Sequence, residues 1–317
     1  MSYTIGPRQR TPDWYALRSN PDDPRFGATS AAALLGVSKW QTPRHVYESF
    51  FREPIADNEA MRRGRHLEPA VQAMWAEEHG KLVLNDLPML IDTESPIFAS
   101  LDSVVDCDSD PGDVDLWMNL IPVYDEEAVL EVKTSMSRDV AAELGDEHSD
   151  NVPTDWLCQV QQQMAVSGLE IAAVAVLIFG RLRTFHVEKN ETIINAIRER
   201  ADEMRTRVLH RDPPPLDFEH RHTAELVRSM RCEDGLTLEM PLELSTLWKH
   251  RHEIAAEIKD REVLKDNYTA QVEAWLIENG ASAGLLPDGK KVVRREVTRK
   301  GYTVGEKTYV EMREVKA

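Results

Sequence analysis

The chain has 317 residues, 42% of them hydrophobic, and a formal net charge of −17. That length allows one large domain or two moderate ones with a true core. The acidic balance counts against a membrane surface and against a simple nucleic-acid binder with a basic footprint. Cys107, Cys158 and Cys232 are too few and too scattered for a disulfide framework, a four-cysteine metal site or an iron–sulfur cluster, so a reducing cytosol is expected. Residues 1–10 have no apolar stretch of signal-peptide type. The longest apolar run, 171–179, is too short to span a bilayer. The expectation is a soluble, cytoplasmic protein with no membrane partner.

In chain order, residues 29–36 read as a short helix capped by Thr29 or Ser30 and stopped by Gly36. Residues 42–51 read as a second helix, with Thr42 as cap and Pro43 in the first turn. From Asn58 to His79 the period stays helical, with Met61, Leu67, Val71, Met74 and Trp75 as an apolar stripe and Gly80 as stop. The period then shortens. Residues 81–91, 97–105 and 128–133 read as strands, with a turn or loop at 106–113. An acidic loop at 145–153 leads into a helix over 154–168, capped by Thr154 and stopped by Gly168. Two strands follow, 171–179 and 182–189, turning at Gly180-Arg181, and then a helix over 191–210.

The three prolines at 213–215 cannot continue a helix and mark a boundary. They suggest a first domain over 1–213 and a C-terminal region over 214–317. In that region 242–280 reads as one long or two consecutive helices and 290–315 as strands. Residues 290–300 carry six positive charges and one negative in an otherwise acidic chain, which suits either a solvated hairpin face or a phosphate backbone.

The strand over 128–133 poses a chemical question. Glu131 and Lys133 stand two residues apart in an apolar run, so they share one side, about 6.6 Å apart along the strand. A solvated edge strand would explain the pair alone. Asp102 at the end of the preceding strand and Glu68 inside the long helix change its meaning. An Asp, then Glu-x-Lys, is a pattern for Mg²⁺-dependent phosphodiester hydrolysis. Mg²⁺ prefers oxygen and takes one or two carboxylates plus water and phosphate, and the intervening Val132 can add a carbonyl.

At these residues the chain resembles the lambda-exonuclease and YqaJ-type viral recombinase nucleases, a branch of the PD-(D/E)xK superfamily. The resemblance runs from residue 12 to 190 through DWYALR (13–18), GATSAAALLGVSKWQTP (27–43), AMRRGRHLEP (60–69), FASLDSVV (98–105), LEVKTS (130–135) and VPTDWLCQVQQQMAVSG (152–168). It implies an α/β (α+β) fold with a restriction-endonuclease-like core, a central mixed sheet flanked by helices, followed here by a C-terminal helix and hairpin. It implies metal ligation by Asp102, Glu131, the Val132 carbonyl and Glu68, with Lys133 as the catalytic lysine. Gln159 would hold the site from the following helix. Arg18, Thr29, Ser30 and Ser100 match a pocket for the 5′-phosphate of DNA. Leu101 and Ser103 depart from the usual proline and glycine around Asp102, and residues 19–26 look like an inserted loop.

The implied activity is Mg²⁺-dependent 5′→3′ exonuclease action on double-stranded DNA ends, with Mn²⁺ as a substitute. The implied partners are DNA ends, a single-strand annealing protein of the RecT/Beta type and further copies of the chain, as in a ring trimer. The setting would be a phage protein in a bacterial cell. The alternatives are an endonuclease on the same fold and a non-catalytic module that binds DNA ends or protein. Trp14 and Trp40 are expected in the core rather than on DNA.

Overall fold

A computed structural model describes residues 3–52, 58–106, 127–230 and 237–297. Cys107, Cys232, nearly all of the expected 106–113 turn and the expected strands beyond 297 lie outside the described residues. By contacts the chain divides into two compact units, Met1–Arg228 and Ser229–Ala317.

The first unit opens with β1 (Tyr3–Arg8), α1 (Pro12–Arg18), β2 (Phe26–Gly27), a 3₁₀ turn (Ala28–Ser30), α2 (Ala31–Leu34), α3 (Pro43–Glu48) and α4 (Glu59–His79). Then come β3 (Leu82–Leu84), β4 (Pro88–Asp92), β5 (Ile97–Ala99), β6 (Ser103–Asp106) and β7 (Ala128–Ser135). The unit ends with α5 (Arg138–Glu143), α6 (Thr154–Ser167), β8 (Ile171–Ile178), β9 (Arg181–Glu188), α7 (Glu191–Leu209) and α8 (Thr223–Ser229). One sheet has the order β1-β4-β5-β2, the other β3-β6-β7-β8-β9. The second is mixed: β7 and β8 run parallel, and the other neighbours antiparallel. Helices pack on both faces, as expected from the sequence.

Residues 81–91 and 97–105 differ from their simple reading as two strands. They are the arms of one bent hairpin. β4 pairs with β5 in the first sheet and β3 with β6 in the second. The first arm breaks at Asp86, whose φ of 56° is left-handed. The second breaks at residues 100–102, between β5 and β6. Asp102 sits in that break.

Side chains alternate across β7 and β8 as strand geometry requires. Leu130, Val132, Ala173 and Ala175 pack with Val71 and Trp75 of α4. Val129, Val174 and Val176 belong to the larger core with Val160 and Met164 of α6 and Ile197 and Ala201 of α7. Of the stripe expected on α4, only Val71 and Trp75 are buried, while Met61 and Met74 are exposed. Asn58 caps α4, accepting from the Met61 amide, and Gly80 ends it with φ 60°. α6 starts from Pro153 and has no side-chain cap, which corrects the expected role of Thr154. Gly168 closes it at φ 85°. The β8–β9 turn is formed by Phe179 and Gly180, both at positive φ, one residue earlier than expected. Two such residues make the turn whose twist matches a hairpin.

The proline run does not end the first unit. Arg44 Nη1 donates to the Pro214 carbonyl at 2.9 Å, and the His220 ring bonds the Ser38 carbonyl at 3.2 Å. These contacts hold residues 214–228 to the first unit. Trp40 is exposed beneath the Arg221 guanidinium rather than in the core. The second unit holds one continuous helix, α9 (Leu242–Glu278), and a short hairpin of β10 (Ala283–Leu285) and β11 (Lys291–Val293). Among the described residues no helix is long and apolar enough to cross a membrane.

Candidate active site

The site forms where β6 stops short of β7. Ser103 pairs with Leu130, whereas β7 continues to Ser135 against β8. Among the described residues no strand therefore pairs with the β6-facing edge of β7 from residue 131 onward. Asp102 takes over from the missing strand: its Oδ2 accepts the Val132 amide at 2.9 Å. A strand residue directs its N–H and C=O to the same edge, so the Val132 carbonyl faces the same gap. Gln72 of α4 donates to the Asp102 carbonyl at 3.1 Å and pins the break.

Glu131 and Lys133 lie on the face of β7 that meets α6. Glu131 is 2% exposed and has three donors. Lys133 Nζ lies 2.5 Å and Gln159 Nε2 2.6 Å from its Oε1, and Gln163 Nε2 lies 2.6 Å from its Oε2. Gln159 Oε1 accepts from Lys133 at 2.9 Å, closing a triangle. Gln159 and Gln163 are one helical turn apart on α6 and act as a pair. Gln161 points away and bonds the Glu188 carbonyl. Glu68 comes from α4, with Arg10 Nη2 3.8 Å from its Oε2.

The charges are unbalanced, with three carboxylates around one lysine. Burial, then the Glu131 and Glu68 charges, push the Asp102 carboxyl well above the usual range. Burial also raises Glu68, with Arg10 opposing and Glu131 adding to the rise. Burial draws Lys133 down, but the Glu131 and Asp102 charges outweigh it and the net direction is up. Lys133 is thus a committed cation.

A carboxyl raised by folding stabilises the fold fully below its unfolded pKa, and that contribution is lost as pH rises through the folded value. The metal-free chain is therefore expected to gain thermal stability from Asp102 and Glu68 as pH falls toward the ordinary carboxylate range. Asp102→Asn should flatten that gain in melting curves. An unchanged pH slope in the variant would contradict the assignment.

Among the described residues no three His, Cys, Asp or Glu side chains stand together at metal-holding spacing. The donor set nevertheless suits a small hard cation. Mg²⁺ needs only one or two carboxylates, the rest being water and phosphate, and a cation would relieve the excess negative charge that raises Asp102.

The residues matched to a phosphate pocket are only partly assembled. The Arg18 guanidinium lies over the Trp14 ring at 4.3 Å and the Phe98 ring at 5.6 Å. Trp14 Nε1 donates to Ser100 Oγ at 3.0 Å, linking Ser100 to that stack. A Cβ on Gly27 would stand 3.6 Å from Arg18 Nη1 and only 2.8 Å from Phe98, so glycine is required there. Burial lowers the Arg18 pKa, and among the described residues no carboxylate pairs with it. Thr29 and Ser30 lie on the adjacent 3₁₀ turn, with neither bonded to Arg18. The helix they open has four residues, so its dipole adds little.

Sequence reasoning missed Arg10, Gln72 and the role of Gln163. The one signal for Gln163 was its spacing of four from Gln159.

A family model for the YqaJ-like viral recombinase domain matches residues 13–170. No curated protein matches. Among solved structures, the alkaline exonuclease LHK-Exo from Laribacter hongkongensis is 17% identical, covering 68% of this chain and 100% of that one with a TM-score of 0.45. LHK-Exo in complex with dAMP gives 16% identity, the same coverage and 0.45. A phage-related exonuclease from Haemophilus somnus 129PT is 12% identical over 59% of this chain and 94% of that one, with a TM-score of 0.42.

Proposed function

Residues 13–170 belong to the YqaJ-like viral recombinase domain family, and from this we propose a divalent-metal-dependent deoxyribonuclease that resects duplex DNA ends 5′→3′. The observation that carries it is the Glu131–Lys133–Gln159 triangle beside Asp102 at the β6-facing edge of β7. Asp102, Glu131 and the Val132 carbonyl would hold Mg²⁺, or Mn²⁺ in its place, with Glu68 reaching it through water. When bound, such an ion lowers the pKa of its water and neutralises charge on the phosphate.

The remaining work falls to side chains. Lys133, kept protonated, donates to the attacking water and to the charge growing on the scissile phosphate. Gln159 fixes the lysine amine, and Gln163 fixes the carboxylate. Both Glu131 oxygens are engaged by donors, and Asp102 accepts from Val132. Glu68 is the site carboxylate held only by a distant arginine, and its raised pKa suits it to take the proton from water. Arg18, with Ser100 and the Thr29–Ser30 turn, would grip the new 5′-phosphate. The 3′ strand left behind would pass to a single-strand annealing protein. A ring of three copies would let an acidic chain enclose DNA with a basic lumen.

The test is linear duplex with 5′-phosphates and a separate label on each strand, incubated with Mg²⁺. Loss of the 5′-end label first, with covalently closed circles left intact, is the expected result. Cutting of the closed circle would make the protein an endonuclease instead.

A further inference from the structure

The second unit carries a helix with a seam that stays largely exposed among the described residues. α9 has 37 residues, of which only Leu276 is buried. Seven of its eleven exposed large apolar side chains follow a seven-residue repeat, the others being Leu242, Val263, Leu264 and Ile277. With Leu244 at position a, the a positions are Leu244, Arg251, Ile258, Lys265 and Val272, and the d positions are Leu247, Ile254, Arg261, Tyr268 and Trp275. The seven apolar members of this set are each 46–61% exposed. An a/d stripe apolar at seven of ten positions over about 48 Å has the spacing of a coiled-coil seam, and a lone helix gains by covering such a face.

The three cations in the seam decide what covers it. In a parallel pair in register, Arg251, Arg261 and Lys265 would each face their own copy, giving three like-charged layers. In an antiparallel pair each a meets a d. The layers then become Leu244 with Trp275, Leu247 with Val272, Arg251 with Tyr268, Ile254 with Lys265, and Ile258 with Arg261. Every cation faces an apolar side chain, and Arg251 gains an aromatic ring. Glu257, at a flanking g position, comes level with Arg261 of the other copy. A groove of about 350 Å³ lies at the C-terminal end of the seam, lined by Tyr268, Val272, Val292 and Val293 among others. Antiparallel pairing brings Leu244 and Leu247 of the other copy to that level.

We propose that α9 pairs antiparallel with α9 of a second copy of this chain, joining protomers through the C-terminal unit. The inference stands apart from the nuclease reading.

Two double variants of equal polarity test it on the full chain by light scattering. Ile254→Lys with Ile258→Lys sets new cations against Lys265 and Arg261 of the other copy, and the mass should fall twofold. Ile254→Glu with Ile258→Glu sets acids against the same cations, and the native mass should be kept. A general loss of structure would affect both variants alike. A monomeric wild type, equal behaviour of the two variants, or dissociation only of the glutamate pair would each overturn the proposal. The first of these outcomes would leave the seam to a helix of another protein.

Discussion

Lys133→Ala is expected to slow divalent-metal-dependent nucleotide release from linear duplex by about 10²–10⁴-fold, the range for a positioned group acting on a proton in the transition state. The lysine is the cation shared by Asp102 and Glu131, Arg10 standing 3.8 Å from Glu68, and it is held at two points, 2.5 Å from Glu131 and 2.9 Å from Gln159. A side chain fixed so tightly loses little entropy on reaching the transition state. Its removal also leaves Glu131 buried with only amide donors. Breaking a buried pair from one side costs about 3–5 kcal/mol, less here because the lysine side chain keeps 20% of its surface exposed. Activity and stability must therefore be read separately. Melting temperature and binding of duplex ends without metal report the fold, and initial rates at saturating Mg²⁺ report the chemistry. Glu131→Ala should lose activity to a similar extent and be less stable than Lys133→Ala, since it strands a lysine and two glutamines. A Lys133→Ala rate within about twofold of wild type would remove this residue from the mechanism.

The sequence made the ingredients of this site readable and left the reason for their meeting out of sight. Glu131 and Lys133 share a face by strand period alone, and the helix over 154–167 is signalled by its pattern and by Gly168. The bent hairpin was not readable. Residues 97–105 carry an unbroken strand-like pattern, yet the chain leaves one sheet after Ala99 and joins the other at Ser103. That transfer puts Asp102 in line with the Val132 amide. It depends on pairing with β4 and β3, which local pattern does not encode. Arg10 and Gln72 were missed for the same reason, since they reach the site across 58 and 30 residues of chain. Arg10 reaches Glu68 from a left-handed turn, φ 65°, that no glycine or asparagine announces. The long helix shows the opposite case. Its repeat can be counted in the sequence, interrupted by Arg251, Arg261 and Lys265, and the structure adds that its seven apolar members stay exposed among the described residues.

Arg18→Ala is expected to abolish discrimination between 5′-phosphorylated and 5′-hydroxyl duplex ends. Three features suit this guanidinium to an anionic ligand. Burial lowers its pKa, Trp14 and Phe98 occupy its surroundings, and among the described residues no carboxylate neutralises it. Arginine stays charged even so, so the desolvated cation gains most from a ligand that brings its own charge and matches a planar fork. Truncating one side of such a pair costs about 2–5 kcal/mol, a rate or affinity change of roughly 30- to 5,000-fold. Arg18→Lys should recover little, because an ammonium neither stacks between the two rings nor presents a bidentate edge. Ser100→Ala should cost less, since its hydroxyl already accepts from Trp14 at 3.0 Å and contributes one donor. Initial rates on two duplexes differing only in the terminal phosphate measure the effect directly. The ratio should be high for wild type and near one for Arg18→Ala, with the rate on the hydroxyl end unchanged. A variant that keeps the wild-type ratio would move the phosphate pocket elsewhere, and one that loses both rates equally would make Arg18 a brace for the Trp14–Phe98 stack rather than a ligand for DNA.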